Sequence, residues 1–286
     1  MEFPIDVALA EAVPRLPRGQ GWWYEIKFDG HRTVLWRLAE TVRLQSRSGR
    51  DVTRVWMDLA VAGMRLPPGT VLDGEAIIHD GGRISFSAAQ SRAASSAARA
   101  RALAARLPAH LAVWDILAHP VHGDVRGRPY LERRGLLLGL LADIGPPIQA
   151  VPATDDPEVA QTWYDTLAEQ GVEGIVCKRA ASPYRPGRIW QKVRHAETVD
   201  AEVVGYTGPA ARPRALAVRL PDGRIGLSQA LTAPLAVAVS AHIAACEPGR
   251  RARTHGEAYT TVGPGLVVEV LAGTTRHAVV TVTRMR

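Results

Sequence analysis

The first half of the chain alternates short apolar segments with turn-forming residues. Hydrophobic side chains either alternate with polar ones or follow one another directly, and Gly, Pro and Asp lie between the segments. Alternation with a period of two, over about four to eight residues, is typical of strands. The pattern therefore predicts strands at residues 22–28, 32–38, 42–46, 71–78 and 111–116.

Two further segments have the composition of helices. Residues 86–106 are rich in Ala, Ser and Arg, which favours a helix with a basic and mainly solvated face. Residues 157–170 follow Asp156, a good N-cap, and precede Gly171, a common residue just past a helix end. Pro157 suits the first helical position. The second helix is expected to bury a stripe formed by Val159, Trp163 and Leu167.

The last third of the chain has a different pattern. After about Val199, Pro- and Gly-containing turns separate short Val-rich strands, and one helix is expected near residues 234–245. This length fits a small five-stranded barrel of the oligonucleotide-binding (OB) kind. We therefore expect two domains, 1–199 and 200–286. In the first, helices interspersed among mostly antiparallel strands indicate an α+β fold.

Composition excludes several classes of protein. With 286 residues, 47% hydrophobic and 22% charged, the chain can bury a core and is not a disordered protein. No apolar run approaches the about 20 residues of a membrane helix, and the N-terminus does not resemble a signal peptide. We expect a cytoplasmic protein without a membrane partner. Two cysteines, Cys177 and Cys246, cannot form a disulfide framework or a four-cysteine zinc site.

The basic residues of the chain include very few lysines. A net charge of +7 favours a polyanionic partner, although a solvated surface explains such an excess about as well. Of 35 basic residues only Lys27, Lys178 and Lys192 are lysines. A lysine amine can act as a nucleophile, whereas arginine stays protonated. The three lysines are therefore candidates for chemistry.

Each lysine lies in a strand beside other charged residues. Glu25, Lys27 and Asp29 alternate, so their side chains can point into one pocket before the turn at Gly30. This motif alone fits a surface strand ending in a turn equally well. Lys178 ends an apolar strand that begins after Glu173, while Lys192 and Arg194 end another. Two amines with carboxylates suit a triphosphate bound with Mg²⁺, since hard cations prefer oxygen ligands.

Two other strands bring polar groups into apolar surroundings. Asp73 and Glu75 interrupt the strand at 71–78, and buried carboxylates need a cation, a hydrogen-bond donor or solvent. Trp114 and Asp115 lie within the strand at 111–116. A single Trp is more often a core residue than a platform on which a ligand stacks.

Taken in order, these motifs resemble the covalent nucleotidyltransferases, and within them the ATP-dependent DNA ligases. The series spans about residues 20–206 and consists of KFDGHR (27–32), SRSGR (46–50), LDGEAI (72–77), VWDIL (113–117), EGIVCK (173–178) and WQKVR (190–194). The first motif alone also fits capping guanylyltransferases and RNA ligases. The resemblance implies an ATP-grasp-like nucleotidyltransferase domain with mainly antiparallel sheets, followed by an OB-fold barrel.

The resemblance also implies roles for individual residues. Lys27 would be the residue adenylated by ATP, with Mg²⁺ as the metal and Mn²⁺ able to replace it. Glu25 would help to read adenine, and Trp114 would stack on it. Arg32 and Arg47 would contact the AMP or the DNA 5′-phosphate. Glu75 and Glu173 would bind ribose or metal, and the phosphate-contacting cations would be Lys178, Lys192 and Arg194.

The partner implied by the resemblance is nicked duplex DNA, with DNA-repair proteins as further partners of a monomer. The expected form is a minimal two-domain ligase without the helical DNA-binding domain of larger relatives. The C-terminal basic motif departs from the family pattern, so its candidate cations are Arg276, Arg284 and Arg286. Two alternatives stay open: an RNA ligase or other nucleotidyltransferase, and a degenerate DNA-binding accessory protein.

Overall fold

Three mainly antiparallel sheets form the framework of the chain. The computed structural model describes residues 1–195, 198–247, 249–254, 256–272 and 280–286. The chain divides into two compact units, Met1–His195 and Ala196–Arg286. None of the helices in the described segments has the length and hydropathy needed to cross a bilayer.

The first unit contains two sheets and five α-helices among its described residues. Its strands are β1 Ala8–Ala12, β2 Trp22–Phe28, β3 His31–Arg37, β4 Val42–Ser46, β5 Val71–Asp80, β6 Arg83–Ile84, β7 Ala109–His119, β8 Gly123–Asp124, β9 Ile148–Ala150, β10 Ala153–Thr154, β11 Val172–Arg179 and β12 Gly187–Arg194. Its helices are α1 Met57–Gly63, α2 Phe86–Ala93, α3 Ala97–Arg106, α4 Tyr130–Leu141 and α5 Pro157–Thr166, with a 3-10 turn at Ala168–Gln170.

The two sheets of this unit face each other. Sheet I has the strand order β1-β12-β11-β2-β10, and sheet II has the order β4-β3-β5-β7-β8, with β6 and β9 at its margins. All pairs are antiparallel except β1 with β12 and β7 with β9. Val34, Trp36 and Leu117 of sheet II pack with Ala8 and Trp190 of sheet I, so a shared core holds the sheets together.

Helices cover the outer faces of both sheets. Leu59 of α1, Ala89 of α2 and Leu137 of α4 pack against the apolar face of sheet II. On sheet I, Ala160 and Trp163 of α5 pack against a cluster of apolar residues from β2 and β11. Polar groups are thereby concentrated between the sheets, beyond the shared core.

Two helix predictions need correction. The basic segment 86–106 forms two helices instead of one, because the Ser96 hydroxyl accepts a hydrogen bond from the Arg99 amide and caps a new helix. Arg92 is buried instead of solvated. It pairs with Asp58, and its guanidinium lies 4.7 Å from the Trp56 ring centroid, so it stabilises the core.

The helix after Asp156 has the predicted cap but a different buried stripe. The Asp156 side chain accepts a hydrogen bond from the Glu158 amide at 2.8 Å, and Gly171 has φ 87° just past the 3-10 turn. The predicted contribution of Val159 was wrong, since its side chain is exposed. Ala160 is buried in its place. An α-helix has 3.6 residues per turn, so residues spaced by four do not stay on one face. Val159 therefore lies off the buried face.

The second unit contains a seven-stranded sheet and one helix among its described residues. Its elements are β13 Thr198–Thr207, β14 Ala215–Arg219, β15 Ile225–Leu227, α6 Ala233–Ala244, β16 Arg251–Thr254, β17 Glu257–Thr261, β18 Val267–Ala272 and β19 Val280–Met285. The long β13 pairs with β14, β17 and β18, and α6 packs Val239 and Ile243 into the apolar core. The predicted helix and Val-rich strands are confirmed, whereas the sheet has seven strands instead of the five expected.

Candidate active site

Lys27 lies near the end of β2 and forms an ion pair with Glu173 of the neighbouring strand β11. Their side chains are 20% and 11% exposed, so the pair is partly open to solvent. Lys27 Nζ also approaches the carbonyl oxygen of Phe28, at 3.4 Å. The amine is held by few contacts and remains accessible to a ligand.

A bulge in β11 turns Glu173 towards Lys27. Val172 pairs with Phe28 and Gly174 pairs with Lys27, so Glu173 is an extra residue without a partner on β2. In a regular strand it would share the face of Ile175, which packs in the core under α5. A bulge can re-aim a side chain in this way.

Gly174 allows the bulge to form against β12. Its φ is +152°, and a Cβ built there would lie 2.0 Å from the Val193 carbonyl oxygen. No side chain fits this position, because the neighbouring backbone occupies the space. The backbone amide of His195 donates to the Glu173 carbonyl at 2.9 Å, which fixes the bulge from β12.

Two cations of β12 complete this side of the cleft. Arg194 Nε lies 2.7 Å from Glu173 Oε1, so Glu173 is held between Arg194 and Lys27. Lys192 is two residues earlier and shares the same face of the strand. Burial is the main cause that lowers the pKa of Lys192 to about 8. The positive charges of Arg194, Lys27 and Arg47 act in the same direction.

The lowered pKa of Lys192 makes ATP affinity sensitive to pH. Lys192 is charged below about pH 8 and loses its charge as the pH rises through that value. We expect the dissociation constant for ATP, measured without metal, to rise about threefold to tenfold between pH 7 and pH 9. Lys192→Arg should remove this dependence, since a guanidinium stays protonated. An unchanged pH profile in Lys192→Arg would assign the titration to another group.

Two carboxylates, one from each sheet, lie close enough to Lys27 to interact with its charge. Glu75 lies on β5 of sheet II, and Asp29 follows β2 of sheet I. Burial raises the pKa of Glu75 to about 7 and that of Asp29 to about 6. The charge of Glu173 raises both pKa values further, whereas Lys27 opposes it. Crowded oxygen donors of this kind favour a hard divalent cation.

The carboxylates fit a cation that is shared with phosphate. Within the described part of the chain, no group of three or more His, Cys, Asp or Glu side chains lies close enough to hold a metal alone. Mg²⁺ in nucleotide sites commonly takes one or two carboxylates and completes its shell with phosphate oxygens and water. Glu75 and Glu173 suit this arrangement as the two protein ligands.

Arg32 lies on β3 of sheet II and pairs with Asp73 of the neighbouring strand β5. Its Nε and Nη2 donate to the two oxygens of Asp73 at 2.7 and 2.5 Å. Tyr184 also donates to Asp73, at 2.7 Å, which completes a buried network. The Arg32 guanidinium lies 4.6 Å from the Trp114 ring centroid, so Trp114 is supported by a cation–π contact.

Lys178 and Glu25 lie in a separate, more deeply buried group. Their side chains are 0% and 2% exposed, and Lys178 Nζ lies 2.8 Å from Glu25 Oε2. Lys178 also donates to the Trp114 carbonyl at 2.9 Å. Among the described contacts, none joins Lys178 to Lys27 or Glu173. The sheets thus hold two charged groups, one around Lys27 and one around Lys178.

Comparison with known proteins identifies the family. A sequence profile of the ATP-dependent DNA ligase domain matches residues 7–194, the segment that carries both charged groups. The chain belongs to the ATP-dependent DNA ligase family.

Relatives and solved structures agree with this membership. DNA ligase C2 of Mycolicibacterium smegmatis is 37% identical over 205 residues, which cover 71% of this chain and 57% of the relative. DNA ligase C of Mycobacterium tuberculosis is 37% identical over 210 residues, covering 71% and 58%. The chain thus spans less than two thirds of the length of these ligases.

The fold matches that of ligases along nearly the whole chain. A structure from a study of Lig E DNA ligases has a TM-score of 0.62 at 17% identity, covering 99% of this chain and 100% of its own. A mycobacterial DNA ligase D, complexed with ATP and MES, has a TM-score of 0.56 at 24% identity, covering 98% and 94%. The expected α+β nucleotidyltransferase fold followed by an OB fold is confirmed.

The structure brings most of the ligase-like residues together. Ion pairs and electrostatic interactions connect Lys27, Glu75, Glu173, Lys192 and Arg194, and the exposed Arg47 is close enough to influence Lys192. Glu25, Trp114 and Lys178 form the buried group beside it. Their roles towards a nucleotide stay predictions.

Helix α4 contributes residues that the sequence did not single out. Tyr130, Arg133 and Arg134 are buried in the same stripe as Leu137 and Leu141. The spacing of these residues could have indicated their role. It places the arginines at core positions of an amphipathic helix, and buried arginines require acidic partners.

The C-terminal cations of this ligase-family chain are held by acidic residues. Arg284 Nη2 lies 2.8 Å from Glu269 Oε2, and Arg286 contacts both Glu269 and Asp200 at 2.7 and 2.8 Å. These contacts join the C-terminal end of the described chain to β18 and β13. Arg276 lies outside the described residues.

Proposed function

We propose that this protein is an ATP-dependent DNA ligase that seals nicks with a 5′-phosphate and a 3′-hydroxyl. The observation that carries the proposal is the accessible Lys27 amine, placed opposite Glu75 and beside Glu173, Lys192 and Arg194. A nucleophile between carboxylates and cations suits attack on a phosphate that carries a leaving pyrophosphate.

In the first step, Lys27 Nζ attacks the α-phosphorus of ATP. The ammonium first gives up one proton to solvent water. A phosphorus–nitrogen bond then forms, the bond to pyrophosphate breaks, and the nitrogen loses a second proton to water. Glu173 holds the Lys27 ammonium in the free protein and would also hold the metal ion, whose positive charge would favour the uncharged amine of Lys27. Bound Mg²⁺ would neutralise charge on the phosphates.

The remaining residues bind the nucleotide. Trp114 provides an aromatic surface for adenine, held from one side by Arg32. Glu75 would bind the ribose, and Glu75 and Glu173 would hold the metal. Lys192, Arg194 and the exposed Arg47 supply positive charge for the phosphates, which favours the pentacoordinate transition state over the free reactants.

The later steps transfer AMP to DNA and then seal the nick. The 5′-phosphate oxygen attacks the phosphorus of lysyl-AMP, which releases the Lys27 amine and forms a pyrophosphate bridge to DNA. The 3′-hydroxyl then attacks the 5′-phosphate, its proton is lost, and AMP leaves. One ATP is used for each phosphodiester bond.

Exposed arginines on each unit are the proposed contacts for duplex DNA. Arg99, Arg101 and Arg106 of α3 are exposed and form no ion pair with a described residue, and Arg250, Arg251 and Arg253 are exposed on the second unit. Phosphate contacts release counterions, so affinity depends steeply on salt and little on base sequence.

A charge-matched comparison tests this surface. Replacing Arg99, Arg101 and Arg106 by alanine should lower the slope of log affinity against log salt by up to about three. The control replaces three exposed arginines that already pair with acids, Arg18, Arg219 and Arg224, and should change the slope less. Equal slopes in both triple variants would exclude α3 from DNA binding.

The choice between DNA and RNA is tested with matched nicks. We expect sealing of a nicked DNA duplex to exceed sealing of the same nick in an RNA duplex, with ATP and Mg²⁺ in both assays. Preferential sealing of RNA would favour the RNA ligase alternative. Duplex binding without self-adenylation would favour a DNA-binding accessory protein.

A further inference from the structure

The ammonium group of Lys178 is fully enclosed by protein groups. Its nitrogen lies 2.8 Å from Glu25 Oε2, 2.9 Å from the Trp114 carbonyl oxygen and 3.8 Å from Asp115 Oδ2. The Trp190 ring centroid lies 4.3 Å away. Glu25 and the Trp114 carbonyl lie within hydrogen-bond distance of the ammonium, whereas Asp115 is a longer ion-pair contact. The Lys178 side chain is 0% exposed, so its ammonium does not face a phosphate in the solvent.

The acidic partners of Lys178 are themselves fixed by α4. Tyr130 donates its hydroxyl to Glu25 Oε1 at 2.6 Å. Burial, and then the charge of Glu25, raises the pKa of Tyr130, so its hydroxyl remains a donor. Arg133 donates to both oxygens of Asp115, at 2.7 and 2.9 Å. Low solvent access makes each of these contacts costly to break.

Through these contacts Lys178 joins three strands from two sheets. It lies on β11, its partner Glu25 lies on β2, and its acceptor Trp114 lies on β7. Glu25 and Lys27 are two residues apart on the same face of β2. Lys178 therefore links the main chain of Trp114 to Glu25, on the strand that carries Lys27.

We propose that Lys178 is a positioning residue, which fixes the Trp114 ring relative to Lys27 and acts on the adenine base instead of on phosphate. The inference rests on the proposed function, in which Trp114 stacks on adenine. Lys192 is the contrasting case, since its ammonium forms no ion pair with a described residue and shares its strand face with Arg194, beside Glu173.

Adenosine separates the two roles because it has the base and no phosphate. Equilibrium binding of adenosine and of ATP is measured by calorimetry on the full chain, without metal, for the wild type, Lys178→Met and Lys192→Met. Lys178→Met should weaken both ligands by a similar factor of about ten or more. Lys192→Met should weaken ATP and leave adenosine unchanged.

A milder variant keeps the test decisive if Lys178→Met unfolds, since that change removes the nearer of the two cations beside the buried Glu25 and leaves only Arg134 at 3.5 Å. Tyr130→Phe removes one hydrogen bond to Glu25 and keeps the ring. It should weaken adenosine and ATP equally, by about twofold to tenfold, with circular dichroism confirming the fold.

Two results in the variants would overturn the inference: reduced ATP affinity with wild-type adenosine affinity in Lys178→Met, or wild-type affinity for both ligands in folded Tyr130→Phe. A wild type that binds ATP but not adenosine would also overturn it, and leaves the ligase proposal standing. A wild type that binds neither would overturn both.

Discussion

Replacing Lys27 by arginine is expected to abolish self-adenylation, with a loss of at least about a thousandfold in rate. Arginine keeps the charge that pairs with Glu173 but offers no usable lone pair for attack on phosphorus. The measurement is incubation with α-labelled ATP and Mg²⁺, followed by denaturing electrophoresis. Peptide mapping of the wild type should place the label on the segment that contains Lys27.

Lys192→Arg provides the matched control. It makes the same chemical change at a neighbouring lysine, so its label should still appear, and on Lys27. Persistent covalent label in Lys27→Arg would contradict the assignment of the nucleophile.

Replacing Glu173 by alanine is expected to slow adenylation about a hundredfold while changing ATP affinity by less than about threefold. The carboxylate is placed beside Lys27 and Arg194, where charge on the phosphates develops in the transition state. Single-turnover rates at several ATP concentrations separate the two quantities. Added Mg²⁺ should rescue the variant poorly, because a protein ligand is missing.

Glu158→Ala is the control for loss of a glutamate. Glu158 is exposed and pairs only with Arg18 among the described ion pairs, so its removal should leave adenylation near the wild-type rate. If Glu173→Ala lost affinity and rate to the same extent, Glu173 would have a general binding or folding role.

The fold was largely predictable because its strands are short apolar runs between turns. Trp22–Phe28 and Val42–Ser46 have the predicted bounds, whereas β7 extends further, to Ala109 and His119. Its additional ends pair with neighbouring strands and lack a strong apolar pattern of their own. Pairing across a sheet is not visible in local periodicity.

The sequence motifs predicted which residues belong to the site, but not how their side chains contact one another. Alternation along β2 suggested that Glu25 and Lys27 share one pocket, and tertiary partners from α4 instead enclose Glu25. The approach of Glu173 to Lys27 depends on a bulge at Gly174, which strand periodicity does not contain. Such contacts arise from tertiary packing, which overrides local pattern.

The central claim is that Lys27 carries AMP to a nick in DNA. It is tested most directly by labelling the chain with α-labelled ATP, removing free nucleotide and adding nicked duplex DNA with Mg²⁺. We predict that the label leaves the protein, passes through adenylated DNA and ends as AMP, with one sealed nick for each AMP released. Label that stays on the protein, or leaves it without sealing DNA, would contradict the claim.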